Sequence, residues 1–342
     1  MNEETKVEQT LTMAIKRPPV RAEWLSLRKN YIGGSEVAAL LGLSPYKTPA
    51  SIWLEKTGRK PVEDEPTEAQ SIGLALEDYA ARRYMEETGR VVRNFNYMLT
   101  RNHALADVDR LVVPDGEKIA AHHDEIRTDR LLECKTSGFF WGDEVPEYYL
   151  AQVQLYLGLT GCRYADFAVV FLSPRRDFKM YEVERDDAVI EKLFDSIEDF
   201  WRDHMDTDAP PPPSDYKEVV SIFPRHYDGK IAESTDEVRS WLLDLKQTED
   251  EAKKLKDHAD LVKGQIAAFM RDAETLTDPT GSRIATFKAA KPTEKTDWKA
   301  VCDELAINLD PEIVAKAIDG NTASVPGSRR FLISKTFGQN VI

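Results

Sequence analysis

Helical and strand periodicities alternate through the first two hundred residues of this chain. Residues 21–29 form a short predicted helix carrying Trp24, Leu25 and Arg28. A second runs from Glu36 to Leu41 behind Gly33-Gly34-Ser35, where Ser35 suits an N-cap and the glycines allow close backbone approach. Thr48-Pro49 opens a third helix that stops at Gly58, and Gly89 stops a longer one over 68–88. On that helix Gly73, Glu77, Ala80, Ala81 and Tyr84 share one side, and Glu77 is its lone charge. Strands are predicted near 91–100, 104–113 and 130–136, then a helix from Pro146 to about 160. Strands at 164–172 and 179–184 and a helix near 186–204 complete the unit. Helices followed by αβββαβ predict an α/β layer with a central mixed sheet.

Pro210-Pro211-Pro212-Pro213 cannot continue a helix and prefers stiff polyproline II, so it marks a boundary. The expected division is a flexible leader over 1–19, a first domain over 20–208, a proline-rich linker over 209–233 and an extension over 234–342. In the extension Val238, Trp241, Leu245, Thr248, Ala252, Leu255, Ala259, Val262, Ile266, Phe269 and Ala273 alternate steps of three and four. This coiled-coil-like seam predicts one long helix that needs an apolar partner, another subunit or the same chain. Segments 282–288 and 329–335 read as strands, with a helix near 297–305 between them.

A length of 342 residues fits about two domains. No run reaches the roughly eighteen apolar residues of a membrane span. The first residues lack the regions of a signal peptide, and Cys134, Cys162 and Cys302 offer neither a disulfide framework nor a zinc site. A reducing cytoplasm is expected, that of a bacterial host if the chain is phage-encoded. The net charge of −14 opposes non-specific nucleic-acid binding. Basic residues nevertheless cluster at Lys16, Arg17, Arg21, Arg28 and Lys29 and at Arg82, Arg83, Arg90 and Arg93, which predicts a positive cleft on an acidic body.

The chemistry is expected from four side chains. Strand alternation sets Asp107 and Asp109 on one face of their strand, and Glu133 and Lys135 on one face of theirs. Carboxylates crowded beside a lysine in apolar strands are costly unless a cation or a reaction needs them. With Glu77 they point to a Mg²⁺-dependent nuclease. Taken singly, a Glu-x-Lys triplet is a surface strand more often than a site; the joint pattern carries the weight.

Helix carboxylate, strand aspartate, Glu-x-Lys strand and then a helix bearing Gln152 is an order that resembles the PD-(D/E)xK nuclease superfamily. More closely, the chain resembles the lambda exonuclease and YqaJ-type viral recombinase family. The carrying segments are Trp24-Leu-Ser-Leu-Arg28, Ile32-Gly-Gly-Ser-Glu-Val37, Gly73-Leu-Ala-Leu-Glu77, Ala106-Asp-Val-Asp109, Leu132-Glu-Cys-Lys135 and Tyr149-Leu-Ala-Gln-Val-Gln154. They occur in family order across about 20–200. The resemblance implies a restriction-endonuclease-like core, with the long helix and a small α+β piece as an added tail. It implies a Mg²⁺-dependent exonuclease of phage recombination that digests one strand of duplex DNA from its 5′ end. The 3′ overhang would pass to a single-strand annealing protein, and the assembly would be a homo-oligomer, in the best-known member a ring-shaped trimer.

On that reading Asp109 and Glu133 bind the metal directly with the backbone carbonyl of Cys134. Such hard oxygen ligands suit Mg²⁺, or Mn²⁺ in its place. Glu77 completes the site through water or a second metal, and Lys135 positions or deprotonates the attacking water. Arg28, Ser35 and Gln152 match the positions that hold a 5′ phosphate; singly, Arg28 reads as a surface ion pair and Ser35 as a plain cap. One departure stands out. The lambda enzyme has a serine two residues before the metal-binding aspartate, and this chain has Asp107, so either Asp107 is a further ligand or the end-recognition pocket differs. That departure and the tail keep an endonuclease or single-strand nuclease of the same fold as the alternative, with a non-catalytic DNA-binding or assembly module behind it. Tyr149 and Tyr156 read as core by default, Trp141 and Phe139-Phe140 as a speculative wedge against the duplex end, and His122-His123 as an exposed loop pair.

Overall fold

A computed structural model describes residues 12–61, 65–122, 125–173, 176–290, 297–306 and 310–322. It divides into two compact units, 1–224 and 225–342. The first opens with β1 (Met13–Lys16), α1 (Arg21–Arg28), β2 (Ile32–Gly33), α2 (Gly34–Leu40), α3 (Pro49–Lys56) and α4 (Glu68–Thr88). Short strands follow: β3 (Val92–Arg93), β4 (Tyr97–Arg101), β5 (Ala104–Ala106), β6 (Arg110–Val112), β7 (Ala121–His122) and β8 (Glu125–Ile126). The unit continues with β9 (Arg130–Ser137), α5 (Glu147–Thr160), β10 (Tyr164–Ser173), β11 (Arg176–Glu184), α6 (Asp187–Phe200) and α7 (Tyr216–Ile222).

Two mixed sheets result. The five-stranded sheet runs β11-β10-β9-β6-β3, and the four-stranded one β1-β4-β5-β2. Strands β9 and β10 pair in parallel, Glu133 opposite Phe167 and Lys135 opposite Val169. A parallel pair needs a crossover, and α5 supplies it. Alternation sends Leu132, Ala168 and Val170 to one face, where they bury against Ala80, Ala81 and Tyr84 of α4. Leu131, Phe167, Val169 and Phe171 join the larger core on the other face, with α2, α3, α5 and α6. Helices on both faces explain why β9 and β10 read as continuous apolar runs.

Several boundaries differ from the sequence expectation. The predicted strand over 104–113 is two strands in two sheets, joined by Asp107-Val108-Asp109. These two acids therefore do not alternate along one strand. Their carboxylates take partners from other elements instead, Trp24 and Arg17 for Asp107 and the Cys134 N–H for Asp109. The predicted leader is not wholly loose, because Met13–Lys16 pairs antiparallel with Tyr97–Thr100. Within the predicted linker, α7 caps on Asp215, buries Ile222 and sends Glu218 to Thr48 at the start of α3. His122 lies in a two-stranded hairpin, and His123 falls outside the described residues.

The second unit holds α8 (Asp236–Met270), a hairpin of β12 (Thr275–Thr277) and β13 (Arg283–Thr286), α9 (Trp298–Ala306) and α10 (Pro311–Asn321). The expected long helix is present with 35 residues and carries the seam positions from Val238 to Phe269, whereas Ala273 lies beyond its end. The strand predicted over 329–335 falls outside the described residues. No helix among those described is long and apolar enough to cross a membrane.

Gly34 is where the fold comes closest to itself. A Cβ there would lie 2.5 Å from Tyr156 Cε1 and 2.8 Å from Gln152 Cγ, so α2 can lean on α5 only without a side chain. Gly73, inside α4, has nothing within 4 Å of its missing Cβ. We expect Gly34→Ala to lose about 1–3 kcal/mol through overpacking, whereas Gly73→Ala gains roughly 0.5–1 kcal/mol of helix stability. Denaturant titration of both variants checks the contrast; equal effects would refute the close approach.

Candidate active site

Strand β9 places Glu133 and Lys135 on one face. Lys135 Nζ donates to Glu133 Oε1 at 2.8 Å and to Gln152 Oε1 at 3.1 Å. Gln152 Nε2 donates to the same Glu133 oxygen at 2.7 Å and to the Tyr156 hydroxyl at 3.1 Å. The turn spacing of α5 aligns Gln152 and Tyr156 over the strand. Glu133 is buried, and its second oxygen, Oε2, has no hydrogen-bond partner among the described residues. Tyr149 lies with its ring 4.9 Å from Lys135 Nζ.

Asp109, between β5 and β6, accepts from the Cys134 N–H at 2.8 Å and so is fastened to the same strand. Its carboxyl is pushed well above the usual range by burial first and then by Glu133 and Glu77, with Lys135 opposing. Glu133 is likewise raised by burial, against the pull of Lys135, with Glu77 and Asp107 adding to the rise. Burial would lower Lys135, but the negative charge of Glu133 and Asp109 outweighs it and holds the amine above its ordinary value. Glu77 points from α4 to Arg110, which also donates to Asp78 at 2.7 Å and to the Asp109 carbonyl at 2.7 Å.

Arg28 of α1 donates to the exposed Ser35 hydroxyl of α2 at 3.2 Å, Nη2 to Oγ. The Arg28 guanidinium lies over the Trp24 ring at 4.6 Å. Trp24 Nε1 in turn donates to Asp107 at 3.0 Å, and Arg17 forms an ion pair with the same carboxylate. Behind Arg28 sits the buried Glu36. It accepts from the Gly33 N–H at 2.9 Å and from Lys56 Nζ at 3.1 Å, and it lies 3.4 Å from Arg28 Nη2 and 3.8 Å from Lys47 Nζ. Gly34 on α2 abuts Gln152, so the Arg28–Ser35 pair and the Glu133–Lys135 pair lie on either side of one contact.

The structure thus brings Glu133, Lys135, Gln152, Asp109 and Cys134 together, with Arg28 and Ser35 one contact away. Glu77 stands at the edge, engaged by Arg110. Among the described residues no three acidic, histidine or cysteine side chains form a metal-sized cluster. The oxygens at hand are those of Asp109, the orphaned Glu133 Oε2 and the Cys134 carbonyl. Two carboxylates and a carbonyl fit a hard divalent cation such as Mg²⁺, which keeps several of its waters.

Sequence reasoning passed over Arg110, Arg17, Glu36, Lys56 and Tyr156 as parts of this site. A signal existed for two of them: Glu36 is the lone charge on an apolar helix, and Arg110 directly follows Asp109 in an apolar strand. Trp141, read as a wedge, lies instead among Tyr149, Phe167, Phe171 and Tyr181 and donates to Ser137 Oγ at 3.1 Å. Several cations of the expected positive cleft are paired with acids: Arg17, Arg28, Arg83 and Arg90.

Glu36 gives a pH-dependent test. Burial would raise its carboxyl, but Lys56, Arg28 and Lys47 prevail and bring it from 4.5 down to about 2. Such an acid contributes stability that is fully present above its unfolded value and is lost as pH falls through the folded one. We expect Glu36→Gln to cost about 3–5 kcal/mol at pH 7 by leaving Lys56 unpaired. The gap to the unmodified protein should close between pH 4.5 and 2. Thermal melts across that window check it, and a gap that ignores pH would count against the charged cluster.

Comparison with known proteins adds an independent line. Residues 23–163 match the model of the YqaJ-like viral recombinase domain. The uncharacterized protein YqaJ of Bacillus subtilis (strain 168) is 33% identical over 266 residues, which cover 74% of this chain and 79% of that protein. Among solved structures, an alkaline exonuclease (LHK-Exo) from Laribacter hongkongensis is similar with a TM-score of 0.42 at 22% identity, over 54% of this chain and 93% of that one. A phage-related exonuclease from Haemophilus somnus 129PT is similar with a TM-score of 0.38 at 13% identity, over 54% and 98%. The matched span runs from Trp24 through Arg28, Ser35, Asp109, Glu133, Lys135 and Gln152, and the chain belongs to the YqaJ-like viral recombinase family.

Proposed function

We propose that this protein is a Mg²⁺-dependent exonuclease of phage-type recombination. It hydrolyses one strand of double-stranded DNA from the 5′ end and leaves a 3′ single-stranded overhang for an annealing protein, acting as a homo-oligomer. The observation that carries this reading is the triangle of Glu133, Lys135 and Gln152, with one Glu133 oxygen orphaned beside Asp109. Membership of a viral recombinase family supports it. The two-faced sheet with α4 and α5 across it supports a restriction-endonuclease-like core.

Bound Mg²⁺, or Mn²⁺ in its place, supplies Lewis-acid activation of water and neutralises charge at the phosphate. Asp109, Glu133 Oε2 and the Cys134 carbonyl would hold it, with Glu77 reached through water while it stays on Arg110. Lys135 orients the attacking water, and its ammonium offsets negative charge that develops at the phosphorus oxygens. Gln152 holds acid and amine in register through its one amide. The exposed Ser35 hydroxyl and the Arg28 fork receive a terminal 5′ phosphate, Arg28 being kept in place by the Trp24 ring and Glu36. Asp107 is occupied by Arg17 and Trp24, so its charge is offset rather than turned on the incoming phosphate.

Lys135→Ala is expected to keep DNA binding and to lose roughly 10²–10³-fold in nucleotide release, the scale of one preorganised electrostatic donor. Undiminished turnover would remove Lys135 from the chemistry. On linear duplex with Mg²⁺, a 5′ label should be released early and a 3′ label late, and EDTA should stop both. Covalently closed circles cut at a similar rate would favour the endonuclease instead.

A further inference from the structure

We infer that α8 pairs antiparallel with α8 of a second copy of this chain. The inference is independent of the nuclease reading. The apolar seam of this helix faces solvent: Trp241 is 61%, Leu255 70% and Phe269 77% exposed. At about 1.5 Å per residue the helix is about 50 Å long, and the other described helices of its unit, of 9 and 11 residues, are too short to cover it. A seam of alternating three- and four-residue steps accepts a partner of the same period. A second α8 has that period by construction.

The direction follows from which residues would meet. In a parallel, in-register pair each seam residue meets its own copy. Trp241 would crowd Trp241 and Phe269 would crowd Phe269, while Ala252 and Ala259 would leave gaps. Among the flanking pairs Asp244 opposite Glu249 repels and Glu237 faces the apolar Leu242, against one attractive pair, Glu251 opposite Lys256. Antiparallel pairing with a single offset brings Val238 against Phe269 and Ala252 against Leu255, a smaller residue against a larger one each time, and separates the two tryptophans by setting Trp241 against Ile266, leaving Thr248 against Ala259 as the one small pair. The same offset sets Glu249 opposite Lys263 and Asp244 opposite His258, each twice. The like-charged contacts, Lys256 with Lys256 and Glu251 with Glu251, then occur once each, on the two-fold axis. Gly264, the weak point of the helix, falls on the outer face.

Disulfide formation in the full chain tests this, with Cys302→Ser removing the exposed native thiol. Antiparallel pairing sets position 238 beside position 269 and the two 238 positions about 45 Å apart, from the rise per residue. A mixture of Val238→Cys and Phe269→Cys chains should cross-link on mild oxidation, and neither variant should do so alone. Single variants that cross-link as readily as the mixture would report parallel pairing and overturn the inference. So would a mixture that does not cross-link. Adding Leu255→Asp to both partners should lower the yield about tenfold or more, the weight of one buried leucine, with helix content unchanged by circular dichroism; an unchanged yield would also overturn it.

Discussion

The first unit is organised around a carboxylate in a place that disfavours it. Glu133 lies mid-strand between apolar layers, where an uncompensated charge is costly. One of its oxygens is satisfied twice, by Lys135 from its own strand and by Gln152 from the crossover helix. That shared oxygen fixes how α5 lies over β9. Tyr156 then takes the other Gln152 hydrogen, and Gly34 is needed because α2 must pass over both side chains. One polar triangle therefore ties together three elements, β9, α5 and α2, and Ser35 with its Arg28 partner sits next to Gly34 on α2.

Asp107 and Asp109 show how a sequence spacing survives a change in its structural reason. Alternation along one strand was expected to aim them together. They lie instead in the crossing between two sheets, and each is steered by its own partners. Asp109 reaches the site because the Cys134 amide holds it there. Asp107 stays near Arg28 because Trp24, which lies under the Arg28 guanidinium, donates to it and Arg17 pairs with it.

Much of this architecture was legible in the chain. The helix over 68–88 with its Gly89 stop, the α5 crossover and the buried strands β9 and β10 each carry a strong local signal: period, cap or continuous apolar run. What stayed hidden depends on partners distant in sequence. Arg110 pairs with Glu77 across 33 positions, Trp24 with Asp107 across 83, and β1 with β4 across a similar span. No local period encodes such contacts. The short α7 lay unseen behind four prolines, because its anchor, Thr48, is 170 positions away from Glu218.

Two of the buried acids of the first unit, Glu36 and Glu133, separate structure from chemistry. Glu36 has three cations within 4 Å and a backbone N–H, more positive charge than it needs, and its carboxyl is held near 2. It has no capacity left for a ligand, and its task is to hold Arg28 and Lys56. Glu133 has one cation and an orphaned oxygen, and the Asp109 carboxylate beside it accepts from the Cys134 N–H and has no ion pair among the described residues. Both carboxyls are displaced upward, by burial first, and the pull of Lys135 does not offset it. On the proposed reading, the under-compensated pair, Glu133 and Asp109, is where a divalent cation would relieve that cost. The same contrast explains why the charge at Glu36 stabilises the fold while the charge at Glu133 is a cost that only function justifies.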